Sequence, residues 1–178
     1  EKLIEVRHAS EIVGMDEHPA AAVRRKRDSS IRVGLELVAT GGADAFVSAG
    51  NTGAVMATAT LVLKRTPGVE RPGILTLFPT ITGEPALLID AGANVDCKAA
   101  HLAHFGVMGS VYAQAILGRP SPTVGVLSNG EEEGKGNAFA KQAYSLMSKH
   151  PWFAGNIEGK DMFHKPCDVV VCDAFVGN

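Results

Sequence analysis

The sequence predicts an α/β protein: three layers, α/β/α, with a mixed, mostly parallel sheet in the middle. Runs such as Pro122-Thr123-Val124-Gly125-Val126-Leu127-Ser128 and Asp168-Val169-Val170-Val171-Cys172-Asp173 are almost continuously apolar, as strands covered on both faces are. Segments with helical periodicity alternate with these runs, the order that builds a sheet between helices. Several elements are also joined by loops rich in Gly, Asn and Asp, and ligands of such folds sit beyond the carboxyl ends of strands.

Bulk properties narrow the function classes. At 178 residues the chain is one domain or a large piece of one. A formal net charge of -2 argues against bulk electrostatic binding to nucleic acid or an anionic membrane. No apolar run reaches the roughly 18 residues a bilayer span needs, and no signal-peptide pattern is present. Three cysteines suit a reducing cytosol better than a disulfide framework. The chain opens on Glu1 rather than Met and stops at Gly177-Asn178 after a strand-like run, so residues 1–178 are expected to be a single α/β catalytic-core segment of a longer protein.

Taken in order, Leu3-Ile4-Glu5-Val6-Arg7-His8 reads as a strand. Ala20 to Arg27 opens a short helix ending in four cations, Arg24, Arg25, Lys26 and Arg27, which is either a solvated face or a clamp for an anionic partner. Asp28, Ser29 or Ser30 caps a helix from Ile31 to Thr40, and Gly41-Gly42 stops it. Asp44 to Val47 is a short strand-like run, followed by the loop Ser48-Ala49-Gly50-Asn51-Thr52-Gly53 and a helix from Ala54 to Leu63. That loop aims backbone N–H groups and a helix N-terminus at one point, a geometry suited to phosphate.

Gly73 to Pro79 and Pro85 to Asp90 form two strands joined by a hairpin, hence antiparallel. Residues 97–117 give a long helix with Leu102, Phe105, Gly109, Tyr112 and Ile116 on one stripe. Gly106 and Gly109 mark close packing there, at a helix–helix or subunit contact or inside the fold. Cys97 falls at the helix start, where a thiolate would be stabilised, although a small buried side chain is the simpler reading. Residues 122–128, 137–149 and 168–173 complete the pattern as strand, helix and strand.

The polar loops repeat one arrangement. Asp90-Ala91-Gly92-Ala93-Asn94-Val95-Asp96, Ser128 to Gly136 and Asp173 to Asn178 each follow a strand, and Asn156 to Asp161 precedes the last one. With Ser48 to Gly53, four or five such loops would line one sheet edge and form a cleft for a polar, phosphorylated ligand. Other sites lack their signatures. No G-x-G-x-x-G, nucleotide P-loop or G-x-S-x-G occurs, and His101-x-x-His104 lacks the H-E-x-x-H pattern.

On these motifs the chain resembles the PlsX family, the phosphate acyltransferases of bacterial phospholipid and fatty acid synthesis. Arg24 to Ser30, Val47 to Ala54, Asp90 to Asp96, Asn129 to Glu131 through Lys135-Gly136, Gly155 to Asp161, and Asp168 to Asp173 through Gly177-Asn178 occur in the family's order. Ala174 stands where the family has glycine, and Lys160 where arginine is common. The family's N-terminal Gly-Gly-Asp segment and long C-terminal portion have no counterpart in the sequence.

The resemblance implies a fold like those of isocitrate/isopropylmalate dehydrogenases and phosphate acetyltransferases. It also implies a reaction in which inorganic phosphate attacks a long-chain acyl-carrier-protein thioester, giving acyl phosphate without cofactor or metal. The acyl phosphate serves a membrane glycerol-3-phosphate acyltransferase. A homodimer at the inner face of the membrane is expected.

That chemistry needs a held phosphate and donors for a developing oxyanion. The candidate phosphate-binding residues are Ser48, Gly50, Asn51, Thr52 and Gly53, with Lys135 assisting. Asn94, Asn129 and Asn156 are candidate oxyanion donors, and Asp96, Glu158, Asp161 and Asp173 candidate orienting or proton-transfer groups. Arg24, Arg25, Lys26 and Arg27 are candidate carrier-protein contacts. Alternatives are a phosphate acetyltransferase using coenzyme A thioesters and a non-catalytic carrier- or anion-binding module.

Overall fold

A computed structural model describes residues 3–178. The chain divides into two compact units, one ending at Gly68 and the other beginning at Val69.

The first unit is helical. α1 (Pro19–Arg25) starts with proline at its first position, where the missing N–H costs nothing. α2 (Ser30–Ala39) is capped by the Ser29 hydroxyl. It ends when the Gly41 and Gly42 amides donate to Val38 and Leu37, with Gly41 in the left-handed region at φ 75°. α3 (Thr52–Val62) is capped by Asn51. Ile31, Leu35 and Ala54 form the core, and the Phe46 ring lies where a Cβ on Gly34 would sit.

Two expected strands are missing from this unit. Residues 3–8 form no ladder, and Leu3, Ile4 and Val6 are exposed. Alternation alone makes no strand, because the backbone groups need a partner edge. The 44–47 run likewise pairs with no strand, and Phe46 packs against Gly34 while Val47 is exposed. The Ser48–Gly53 loop therefore does not follow a strand of the sheet.

The second unit holds that sheet, in the order β1-β2-β5-β3-β4. β1 (Leu75–Phe78) and β2 (Ala86–Ile89) pair antiparallel as the hairpin requires, with Leu75 opposite Ile89. β2, β5 (Val169–Val171), β3 (Val124–Ser128) and β4 (Phe153–Glu158) are mutually parallel. Alternate residues sort by face. Leu87, Ile89, Val124, Val126, Val169 and Val171 pack with α4 (Ala99–Ala115) and α5 (Ala138–Met147). Leu88, Val170 and Ile157 pack on the other face with Met162 of the 3₁₀ turn Asp161–His164. Within this unit, helices layer one face of a mixed, mostly parallel sheet.

β4 is the strand that the sequence reading misses. Gly155 and Asn156 are poor strand formers, and Gly155 at φ 100° makes a bulge where the register slips between Val124 and Gly125. Asn156 and Glu158 consequently lie on a strand and not in a loop.

The stripe on α4 also shifts. Leu102, Phe105, Gly106, Gly109 and Ala113 are buried, whereas Tyr112 lies on the flank and Ile116 caps the helix end, both exposed. Gly106 and Gly109 serve internal packing. A Cβ on Gly109 would lie 2.5 Å from Val169 Cγ1, and one on Gly106 would meet Trp152, Val124 and Met147.

Candidate functional site

Because β2, β5, β3 and β4 run the same way, the segments that follow them emerge along one sheet edge. Hydrogen bonds join these segments. The Ala174 amide, after β5, donates to the Asn94 carbonyl, after β2, at 3.0 Å. Asn156 of β4 donates through Nδ2 to the Glu132 carbonyl, after β3, at 2.7 Å.

Asp90, fully buried, organises the loop after β2. Its Oδ1 accepts from the amides of Ile74, Gly92 and Ala93 at 2.9–3.2 Å, and its Oδ2 from the Asn94 amide and Nδ2 at 2.8 and 2.7 Å. Sequence reasoning quotes Asp90 in its motif and gives it no role. The available signal is a carboxylate ending an apolar run directly before Ala-Gly-Ala-Asn.

Asn94 is buried, and both hydrogens of its amide are engaged, one by Asp90 and one by the Pro72 carbonyl at 2.7 Å. The side chain therefore holds the loop, and donation to an oxyanion would require breaking one of these bonds. Asp96 is exposed, and its carbonyl accepts from Arg71.

The loop after β3 is tied across by Asn129, whose Oδ1 accepts from the Gly136 amide at 2.8 Å. Lys135 is exposed and has no ion-pair partner among the described residues. Asn137 caps α5 by accepting from the Ala140 amide. Asp173 caps the short helix α6 (Ala174–Gly177) through the Val176 amide. Ala174 adopts no positive φ there, so the place where the family has glycine accepts a methyl group. At the end of β4, Glu158 pairs with Lys160 at 2.8 Å.

Ser128 Oγ, Asn156 Oδ1 and Asp161 Oδ2 are buried without a hydrogen-bond partner. Such atoms are uncommon in folded proteins, and all three belong to the carboxyl ends of β3 and β4 or the turn that follows. A cleft of about 390 Å³ opens at this edge between α4 and α5. Its rim carries Ser128, Asn129, Asn137 and Asp173, and its floor Leu102, Leu127, Phe139 and Ala140. Of the predicted residues, Asn129 and Asp173 line it.

The loop expected from the sequence to bind phosphate belongs to the first unit. Asn51 is buried and fully occupied, with Oδ1 accepting from the Ala54 amide and Nδ2 facing the carbonyls of Gly14, Met15 and Glu17 at 3.1–3.3 Å. Ser48 Oγ accepts from the Gly50 amide. Thr52 and Gly53 form the first turn of α3, whose leading amides have no intrahelical acceptor. Among the cations, Arg24, Arg25 and Arg27 are exposed, but Lys26 bonds Glu17 and the Ile12 carbonyl and ties the unit together instead of facing a partner.

Cys97 offers no thiolate. Burial, then the charges of Asp90 and Asp173, push its thiol up to about 11, outweighing any benefit from the helix start. Burial pushes Cys167 and Cys172 up to about 12. Thiol alkylation of the folded protein at pH 8 is therefore expected to be slow at all three cysteines and to accelerate only toward pH 11. Rapid labelling of Cys97 at pH 8, read by peptide mass, would contradict this.

His101 uses both ring nitrogens. Nδ1 accepts from the Lys98 amide at 3.1 Å, and Nε2 faces Glu70 at 3.2 Å. Among the described residues no group of three or more His, Cys, Asp or Glu side chains is placed to hold a metal ion.

Comparison with known proteins places this arrangement. A family model described as fatty acid synthesis protein matches residues 1–178. A phosphate acyltransferase of Acidobacterium capsulatum is 54% identical over 176 residues, covering 98% of this chain and 52% of that protein. One of Myxococcus xanthus is 56% identical over 177 residues, covering 98% and 50%. The chain thus spans about half the length of these curated relatives.

Among solved structures, a phosphotransacetylase from Streptococcus pyogenes aligns with TM-score 0.64 at 21% identity, covering 89% of this chain and 55% of that one. The EutD phosphotransacetylase from Staphylococcus aureus aligns with TM-score 0.60 at 20% identity, covering 83% and 52%. These two likenesses concern the fold. With a family model matching its whole length, the chain belongs to the fatty acid synthesis protein family.

Proposed function

We propose that this chain carries the thioester-reacting part of a phosphate acyltransferase, in which inorganic phosphate attacks a long-chain acyl-carrier-protein thioester to give acyl phosphate and free carrier. The observation that carries the reading is the sheet edge. It combines a polar rim of Asn129, Asn137 and Asp173 with an apolar floor in one cleft, and the loop after β3 that supplies Asn129 also carries the exposed Lys135. Phosphate is its own nucleophile, so the raised thiol pKa values are no obstacle.

In this reading Lys135 draws phosphate toward the thioester and offsets the charge that develops on oxygen. Asn129 and Asn156 polarise the carbonyl, Asp90 and Asn94 hold the neighbouring loop, and Asp173, Glu158 and Asp161 orient donors or accept the phosphate proton. Ser48, Thr52 and Gly53 retain an anion-binding geometry. Arg24, Arg25 and Arg27 meet the acidic carrier, making the encounter rate fall with salt. The protein works as a homodimer, supplies a membrane glycerol-3-phosphate acyltransferase, and associates peripherally with the inner membrane face. Among the described residues no helix is long and apolar enough to cross a membrane.

The test incubates the intact protein with acyl-carrier thioester and phosphate and follows acyl phosphate by mass spectrometry, with acetyl-coenzyme A in parallel. Absence of phosphate-dependent thioester loss would refute the reading, and preference for acetyl-coenzyme A would favour the phosphotransacetylase alternative. Lys135→Ala is expected to lower kcat/KM about 100-fold while leaving the fold intact. Unchanged kinetics would remove Lys135 from the reaction.

A further inference from the structure

Phe139, in the first turn of α5, lines two clefts. One is the 390 Å³ cleft at the sheet edge, bounded by Ser128 and Asp173. The other, about 660 Å³, lies between the start of α4 and the outer part of α5, lined by Cys97, Ala100, Gln142 and Leu146. Phe139 thus borders both a space with a polar mouth and a second space whose lining carries one charged side chain, Lys98. The wall supplied by α4 has no charged side chain, since residues 99–118 contain no Asp, Glu, Lys or Arg. Both volumes fall in the range of about 300–1,000 Å³ usual for small-molecule sites.

We infer that this pair of clefts is the acyl-chain track of the enzyme and that Phe139 is the gate that sets chain length. The inference rests on the acyltransferase reading and names the part of the substrate that the apolar floor receives. A thioester carbonyl held at the polar rim must send its tail somewhere. From the polar rim an uncharged route leads over Leu102 and Ala140 toward Phe139. Chains short enough to stop at the ring fill the inner cleft. Longer ones must displace the ring and continue between Ala100 and Leu146.

Charge and shape favour this occupant over others. Phosphate or a nucleotide would meet no cation in the lining of the inner cleft and a single one, Lys98, in that of the outer cleft. A linear hydrocarbon needs only continuous apolar contact, and each methylene it buries gains roughly fourfold in affinity.

The experiment measures binding and turnover of the intact protein with acyl-carrier thioesters from octanoyl to stearoyl. Phe139→Ala joins the clefts, and the ratio of kcat/KM for stearoyl over decanoyl is expected to rise about tenfold. Ala100→Trp narrows the exposed outer cleft without touching the buried core, and is expected to weaken the longest chains about tenfold while sparing the shortest.

Parallel shifts in binding affinity support the track whether or not turnover is seen. An unchanged chain-length profile in a folded Ala100→Trp protein overturns it, also where Phe139→Ala fails to fold. A wild-type protein that binds long acyl chains but forms no acyl phosphate refutes the reaction and leaves the binding profile to decide the track.

Discussion

Asp90→Ala is expected to cost about 4 kcal/mol, because four backbone amides and the Asn94 Nδ2 lose their acceptor at a fully buried site. Each stranded donor costs roughly 1–3 kcal/mol, with partial relief as the loop loosens and water enters. Against a typical stability of about 5–15 kcal/mol, the loss is roughly a quarter or more of the whole.

Function is expected to fall with it. Asp90 joins Ile74, ahead of β1, to the Asn94 loop, and that loop receives the Ala174 amide from the segment after β5. Asp90→Asn keeps one acceptor oxygen but turns N–H groups toward N–H groups, for a cost of about 2–3 kcal/mol. Urea midpoints of the two variants provide the check. An unfolding free energy for Asp90→Ala within about 1 kcal/mol of the wild type would show that the loop finds other acceptors.

Asn51→Asp is expected to destabilise the first unit by about 3 kcal/mol. Its primary effect is not the weakening of phosphate binding that a sequence reading suggests. Aspartate still caps α3, since it accepts from the Ala54 amide as well as asparagine does. What it cannot do is donate. The carbonyls of Gly14, Met15 and Glu17 then face a carboxylate oxygen where an N–H₂ stood, in a side chain only 7% exposed.

Hydrogen exchange at residues 14–17 and the urea midpoint of the first unit would both report the change. A variant with wild-type stability and only a raised phosphate requirement would mean that Asn51 serves the ligand. In that case its contacts with the 14–17 segment would be dispensable.

These two positions show where reading residues in order succeeds and fails. The helices from Ser30, Thr52, Ala99 and Ala138 fall close to where caps and periodicity place them, because a cap is a contact within three residues of chain. The β1–β2 hairpin and the buried runs at β3 and β5 are equally local. Strands 3–8 and 44–47 fail because pairing is not local, and no edge meets them among the described residues. β4 is hidden by Gly155 and Asn156 and exists because β3 offers it a partner through a bulge.

For the site, the sequence by itself determined the chemistry on offer: Gly-, Asn- and Asp-rich loops and a lysine in one of them. The motif order was enough to indicate the family. Only the tertiary structure decided which of these groups remain available. Asn51, Asn94 and Lys26 look like ligand contacts in one dimension, yet their side-chain donors are already engaged, while the backbone N–H of Asn51 is a separate group. Asn129 and Asp173, 44 residues apart in sequence, line one cleft because β3 and β5 are parallel neighbours. The physical reason is that a side chain's hydrogen-bonding capacity is fixed by its type, whereas its free capacity depends on what long-range packing has placed within 3 Å of it.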